Sequence, residues 1–175
     1  MTSIPFRTTL ATLILVTVLI PQTAAGADVG QPAPKLVVSE LDGTSFDLKS
    51  QQGKVVLVNF WATWCEPCRQ EATILDAFYK AHHGDGLELV GLSMNRPRER
   101  EAVQKATQSV TYPIAIAAEA ASNGFGAVRV LPVTYVIDRE GIVRARFSAG
   151  EAVTERQLED VVLPLLGAPG SKSAP

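Results

Sequence analysis

The sequence predicts an α/β fold, with a mixed central β-sheet flanked by helices and a β-hairpin added at its N-terminal side. Three observations carry this. The apolar run Val55-Val56-Leu57-Val58-Asn59-Phe60 is followed, after a short turn, by residues 65–81, where Ala72, Leu75 and Tyr79 recur at a helical period with Ile74 and Phe78 alongside. A second apolar run, 87–93, comes a whole helix later, so it lies parallel to the first. Two strand-turn-strand stretches, 35–48 and 133–147, stand on either side of this unit and supply antiparallel pairs.

Taken in order, the chain opens with Arg7, an apolar stretch over 10–20, Pro21 and the small residues Ala25-Gly26-Ala27, the three regions of a secretory signal peptide. Residues 1–27 are therefore expected to be a signal peptide cleaved after Ala27, with Ala25 as the alternative site. The apolar stretch is shorter than the roughly 20 residues a transmembrane helix needs, which favours export over an uncleaved anchor. The expected destination is a bacterial periplasm or its extracytoplasmic equivalent, where disulfides persist. Residues 28–166 suffice for one domain with a single core. Residues 167–175, rich in Gly, Ser, Ala and Pro, read as a disordered tail. Lys and Arg number 16 against 18 Asp and Glu, a net charge of −2, and so mild a value does not point to nucleic acid.

Within the domain, Lys35-Leu36-Val37-Val38, a turn at Asp42-Gly43, and Phe46-Asp47-Leu48 make the first hairpin. Residues 54–62 form the central strand and 65–81 the first major helix, closed by Gly84 and Gly86. After the strand at 87–93, residues 98–109 have helical composition. Arg96, Arg98, Arg100 and the acids among them read as a solvated face, the other reading being a basic lip for an acidic partner. Residues 114–117 are a short third strand and 119–128 a short helix weakened by Gly124 and Gly126. The second hairpin turns at Asp138-Arg139-Glu140-Gly141. Thr154-Glu155-Arg156-Gln157 is a capping box that opens a last helix with Leu158, Val161, Val162 and Leu165 on its core face, and Pro164 should distort its final turn.

The chemistry lies in Trp61-Ala62-Thr63-Trp64-Cys65-Glu66-Pro67-Cys68, at the junction of the central strand and the first helix. Residues three apart on a helix are neighbours, so the two thiols can form and open a disulfide with little backbone movement. Unpaired N–H groups and the positive end of the helix dipole stabilise a thiolate there. Cys65, the outermost, is the expected nucleophile, and Cys68 the resolving thiol that attacks Cys65 in a mixed disulfide. A zinc site needs about four ligands, and these are the only two cysteines, with His82 and His83 about four helical turns away. A static disulfide would close so small a loop that its entropic gain is limited.

The order hairpin, β-α-β, helix, β-β-α resembles the thioredoxin superfamily and, within it, the exported TlpA/ResA-type thiol-disulfide oxidoreductases. Three stretches carry the likeness: Gly30-Gln31-Pro32-Ala33-Pro34 with Leu41-Asp42-Gly43, the segment 58–68, and 131–141. The resemblance spans 29–166 and implies a thioredoxin-like three-layer sandwich. It implies that Pro132 is a cis-proline facing the disulfide, although the residues alone fit a trans-proline opening an edge strand equally well. It also implies that the backbone at Leu131 docks an incoming substrate strand. Trp64, with Glu66 and Pro67, would form the surface that substrates meet, while Trp61 is packing. No metal and no cofactor is called for; the implied partners are exported proteins with cysteines and a membrane thiol-disulfide electron donor.

Thioredoxins carry a buried Asp where this chain has Asn59, and Asn cannot titrate. Some members of the type place a Glu after the next strand, where this chain has Asn95 or Arg96, so the base for Cys68 is left unidentified, with Glu66 and solvent as candidates. Relatives with Glu-Pro between the cysteines are mostly reductants, and several serve cytochrome c maturation. The Pro-Glu signature of the dedicated cytochrome-maturation reductases is absent, since Val133 follows Pro132, so a general reductase is expected. Alternatives on the same fold are a copper-binding chaperone, which would need three residues between its cysteines, where this chain has two, and a later His, where none follows His83, and a thiol peroxidase working through one low-pKa cysteine.

Overall fold

Seven consecutive buried residues make β3 (Val55–Trp61), the centre of the molecule in a computed structural model that describes residues 27–148 and 150–167. The expected signal peptide up to Gly26 and the expected tail beyond Gly167 lie outside the described residues. On one side β3 pairs in parallel with β4 (Leu87–Ser93), from Val55 opposite Leu87 to Trp61 opposite Ser93. On the other it pairs antiparallel with β7 (Val133–Ile137), Phe60 lying opposite Val133. β5 (Ile114–Ile116) and β8 (Val143–Ser148) complete a five-stranded mixed sheet in the order β5-β4-β3-β7-β8. A strand buried on both faces needs an unbroken apolar run, which is what 55–58 supply.

The two faces of β3 are covered differently. Val55, Leu57 and Trp61 share a buried cluster with Leu75 and Phe78 of α1 (Glu66–His82), Val103 of α2 (Arg100–Ala106), and Leu158 and Val162 of α3 (Glu155–Leu166). Burying a side chain such as Leu75, fully enclosed here, stabilises the fold by about 2 kcal/mol. Val56, Val58 and Phe60 point the other way, into Leu36, Val38, Phe46 and Phe125. That second face is roofed by a three-stranded sheet, β2-β1-β6, built from β1 (Leu36–Ser39), β2 (Ser45–Asp47) and β6 (Ser122–Asn123).

The helix expected over 119–128 is not formed. Residues 117–119 make one 3-10 turn, and Ser122-Asn123 then pair antiparallel with Val37-Leu36. Gly124 continues the contact, its N–H donating to the Lys35 carbonyl at 2.9 Å. A Cβ at Gly124 would stand 2.8 Å from Pro34 Cβ, so the glycine that weakens a helix is what lets the two chains close up.

α3 opens with the expected capping box: Thr154 Oγ1 accepts from Gln157 N, and Gln157 Oε1 accepts from Thr154 N at 2.9 Å. The helix runs through Pro164 to Leu166. Its end is held by Arg139, from the β7–β8 turn, whose guanidinium donates to the carbonyls of Leu166 (2.9 Å), Leu165 (3.3 Å), Gly53 (2.6 Å) and Asp85 (3.3 Å). Among the described residues no helix is long and apolar enough to cross a membrane.

Candidate active site

The C-terminal end of β3 delivers the chain to a tight turn, in which Cys65 N donates to Ala62 O at 3.1 Å. Cys65 is the N-cap of α1, with extended backbone (φ −94°, ψ 109°), and its sulfur accepts from Cys68 N at 3.3 Å. Glu66 and Pro67 open the first turn, where proline's missing N–H has no helical partner to lose. The two sulfurs are bonded at 2.01 Å with the Cα atoms 5.3 Å apart. Cys65 is 6% exposed and Cys68 1%, so the N-cap cysteine is the more accessible residue.

The turn is braced from β4. Asn95 Oδ1 accepts from Thr63 N at 2.9 Å and from Ser93 Oγ at 3.0 Å, while its Nδ2 donates to Thr63 Oγ1 at 2.8 Å and to Glu99 at 3.1 Å. Asn95, which the sequence places at the position of a possible base, is therefore a strut for the turn. Arg96 is exposed, and its backbone N–H donates to the Glu99 carboxylate at 3.0 Å. On the outer side, Arg69 pairs with Glu66 and donates to Thr63 O at 3.2 Å.

Trp64 is 69% exposed beside the disulfide, whereas Trp61, three residues back on β3, is buried. A surface groove brings Trp64, Cys65, Glu66 and Pro67 together with Met94, Val128, Arg129 and Leu131. The Leu131–Pro132 peptide is cis, and Pro132 is buried at the head of β7. Every residue expected at the site thus falls at one end of the central sheet, and all but Cys68 and Pro132 line the groove.

One buried group was not anticipated. Glu71, one turn beyond Cys68 on α1, is 1% exposed and lies on the sheet-facing side of the helix with Cys68 and Leu75. Its carboxylate accepts from Thr134 Oγ1 (2.8 Å), Asn59 Nδ2 (3.2 Å) and Val153 N (3.4 Å), and Asn59 also donates to Thr134 Oγ1 at 2.9 Å. Burial pushes the Glu71 carboxyl above its ordinary value, and the three donors only partly oppose that. The signal was present in the sequence: a charged residue three after Cys68 falls inside the apolar stripe of α1. Asn59, set on β3 directly opposite Thr134, is the partner that orients it. Among the described residues no three His, Cys, Asp or Glu side chains converge to hold a metal ion.

The geometry is that of a dithiol–disulfide couple with one reachable sulfur, one sheltered sulfur and a buried carboxyl behind it. Comparison with known proteins agrees. Residues 29–146 match the AhpC/TSA family. The chain is 33% identical over 117 residues to the thiol-disulfide oxidoreductase ResA of Geobacillus thermodenitrificans, covering 66% of this chain and 67% of that protein. Against the ResA of Bacillus cereus it is 32% identical over 131 residues, 75% of each chain. The thioredoxin-like protein YneN of Bacillus subtilis is 34% identical over 122 residues, 68% of this chain and 71% of that one. Among solved structures, a thioredoxin-family thiol:disulfide interchange protein from Chlorobium tepidum superposes with a TM-score of 0.66 at 27% identity, covering 80% of this chain and 99% of its own. A secreted thiol-disulfide isomerase from Corynebacterium glutamicum gives 0.63 at 27% identity, over 76% and 84%. With its bonded cysteine pair set on a thioredoxin-like sheet, this chain belongs to the AhpC/TSA family and is a thiol-disulfide oxidoreductase of the ResA type.

Proposed function

We propose that the protein is exported, its leader 1–27 being removed, and that it works there as a reductase of cysteine-containing proteins, with 28–166 as its one domain. The Cys65 thiolate attacks a substrate disulfide, forming a mixed disulfide and releasing one substrate thiolate, which takes a proton from solvent. Cys68 then gives its proton to the Glu71 carboxylate and attacks Cys65 Sγ. The Cys65–Cys68 bond forms, the second substrate thiolate leaves, and two electrons have passed to the substrate. A membrane thiol-disulfide donor restores the dithiol. The docking strand is Leu131 with cis-Pro132, and Trp64, Glu66 and Pro67 form the facing surface.

The observation that carries this reading is the division of labour between the sulfurs. Cys65 opens onto the groove that Leu131 also lines, while Cys68 is enclosed one helical turn from a buried carboxyl with a raised pKa. A carboxyl poised above its usual range is suited to accept a thiol proton near neutral pH. Direction is tested by equilibrating residues 28–175 against thiol-disulfide buffers. A midpoint potential well below about −200 mV marks a reductant that needs an upstream donor, and a value near about −120 mV marks an oxidant and overturns the proposed direction. Peroxide consumption by Cys68→Ser would instead make Cys65 a peroxidatic thiol.

A further inference from the structure

The groove beside Cys65 carries two charged side chains, Glu66 and Arg129. Glu66 is neutralised by its ion pair with Arg69. No acid among the described residues pairs with Arg129. The one uncompensated charge at the mouth of the disulfide is therefore positive, on a chain whose net charge is −2. The loop after Met94, at the same end of the sheet, adds Arg96 and Arg98. These two charges help hold the Glu99 carboxyl below its ordinary value, after the Arg96 N–H and the Asn95 amide.

Val128, Arg129 and Leu131 line the groove, whereas Val130 is 53% exposed and does not. The N–H and C=O groups of 129–131 have no backbone partner among the described residues. An extended peptide laid beside this segment can be held by main-chain hydrogen bonds, with its side chains within reach of Arg129.

We propose that Arg129 selects substrates by charge, so that the preferred occupant of the groove is an extended cysteine-bearing segment with a carboxylate side chain within two residues of its cysteine. This rests on the reading of Leu131 and Pro132 as the docking edge. A charge at the rim of an interface acts mainly through encounter and is screened by salt. An exposed ion pair of this kind is worth a factor of about 2–5.

The test uses disulfide-linked peptides identical except for Asp, Asn or Lys two residues before and after the cysteine, with hydroxyethyl disulfide as an undocked comparison. The readout is kcat/KM of the reduced protein for each. Expected is a preference for Asp over Asn of about threefold and over Lys of about tenfold. The preference shrinks towards unity at about 0.5 M salt, where the Debye length is about 4 Å. In Arg129→Gln both ratios fall to near one, and because they are taken within one variant, a changed Cys65 nucleophilicity cancels. Peptides reduced faster than hydroxyethyl disulfide but with no charge preference in the wild type, or a preference unchanged in Arg129→Gln, overturn the role of Arg129 alone. Peptides of every charge reduced no faster than hydroxyethyl disulfide overturn the docking edge, and the selectivity with it.

Discussion

Replacing Glu71 by Gln separates a proton-accepting role from a structural one. A carboxylate offers about four lone-pair sites, and Thr134, Asn59 and Val153 occupy three, leaving one for a proton arriving from Cys68. General-base assistance typically spans 10²–10⁴-fold, and a base so heavily engaged belongs at the lower end, so resolution of the mixed disulfide should slow about 100-fold, or about 2.7 kcal/mol. The assay is single-turnover mixing of reduced protein with a disulfide peptide, following the mixed disulfide and both released thiols between pH 5 and 8. In the wild type the resolving step should rise with pH and level off above the Glu71 pKa, which lies above 4.5. In Glu71→Gln it should be slow and still climbing at pH 8, while attack by Cys65 changes less than about threefold. Stability moves the other way. With the folded pKa above the unfolded value, the native state holds a proton that the unfolded chain has released, so the stabilisation is complete below about pH 4.5 and is lost as pH rises through the folded pKa. Glu71→Gln should lack that slope and be no less stable at pH 7 in urea. Equal slowing of both steps, or less than threefold slowing of resolution, would refute the role of Glu71.

Three further outcomes follow from particular contacts. Glu66→Gln should lower exchange less than about fivefold, because Glu66 is exposed and held only by a surface ion pair; a hundredfold loss would make Glu66 the base after all. Gly91→Ala should cost about 2 kcal/mol and lower Tm by roughly 4–8 °C in calorimetry, since its Cβ would stand 2.7 Å from Ile114 Cδ1 and 3.1 Å from the Tyr112 ring, directly behind Trp61; an unchanged Tm would mean that this wall yields. Arg139→Ala should cost about 2 kcal/mol by stranding the carbonyls that end α3, and Arg139→Lys should recover less than half of it because an ammonium cannot span them as the planar guanidinium does; full recovery by Lys in urea titrations would count against the latch.

What was legible in the sequence and what was not differ in how local the cause is. The central strand, the Cys-x-x-Cys turn, the parallel return at 87–93 and the capping box at Thr154 are each set by a run, a period or a spacing within a few residues. The β6 pairing was not legible, because Ser122 and Asn123 have no strand signal of their own and are ordered by Leu36 and Val37, far back in the chain. Arg139 reads as an ordinary turn residue until the fold brings the ends of α3 and two loops to it.

Glu71 is the sharpest case. Its three donors lie 12, 63 and 82 residues away in sequence, and only the closed sheet assembles them. Asn59, taken alone, suggests a site that has lost the buried acid thioredoxins carry at that position. In the fold, Asn59 donates to a carboxylate that sits on the helix, one turn past Cys68. A buried titratable group is thereby retained while the residue on the strand becomes its hydrogen-bond donor. Under the proposed mechanism, the acid missing from the strand is replaced on the face of α1 that already buries Cys68.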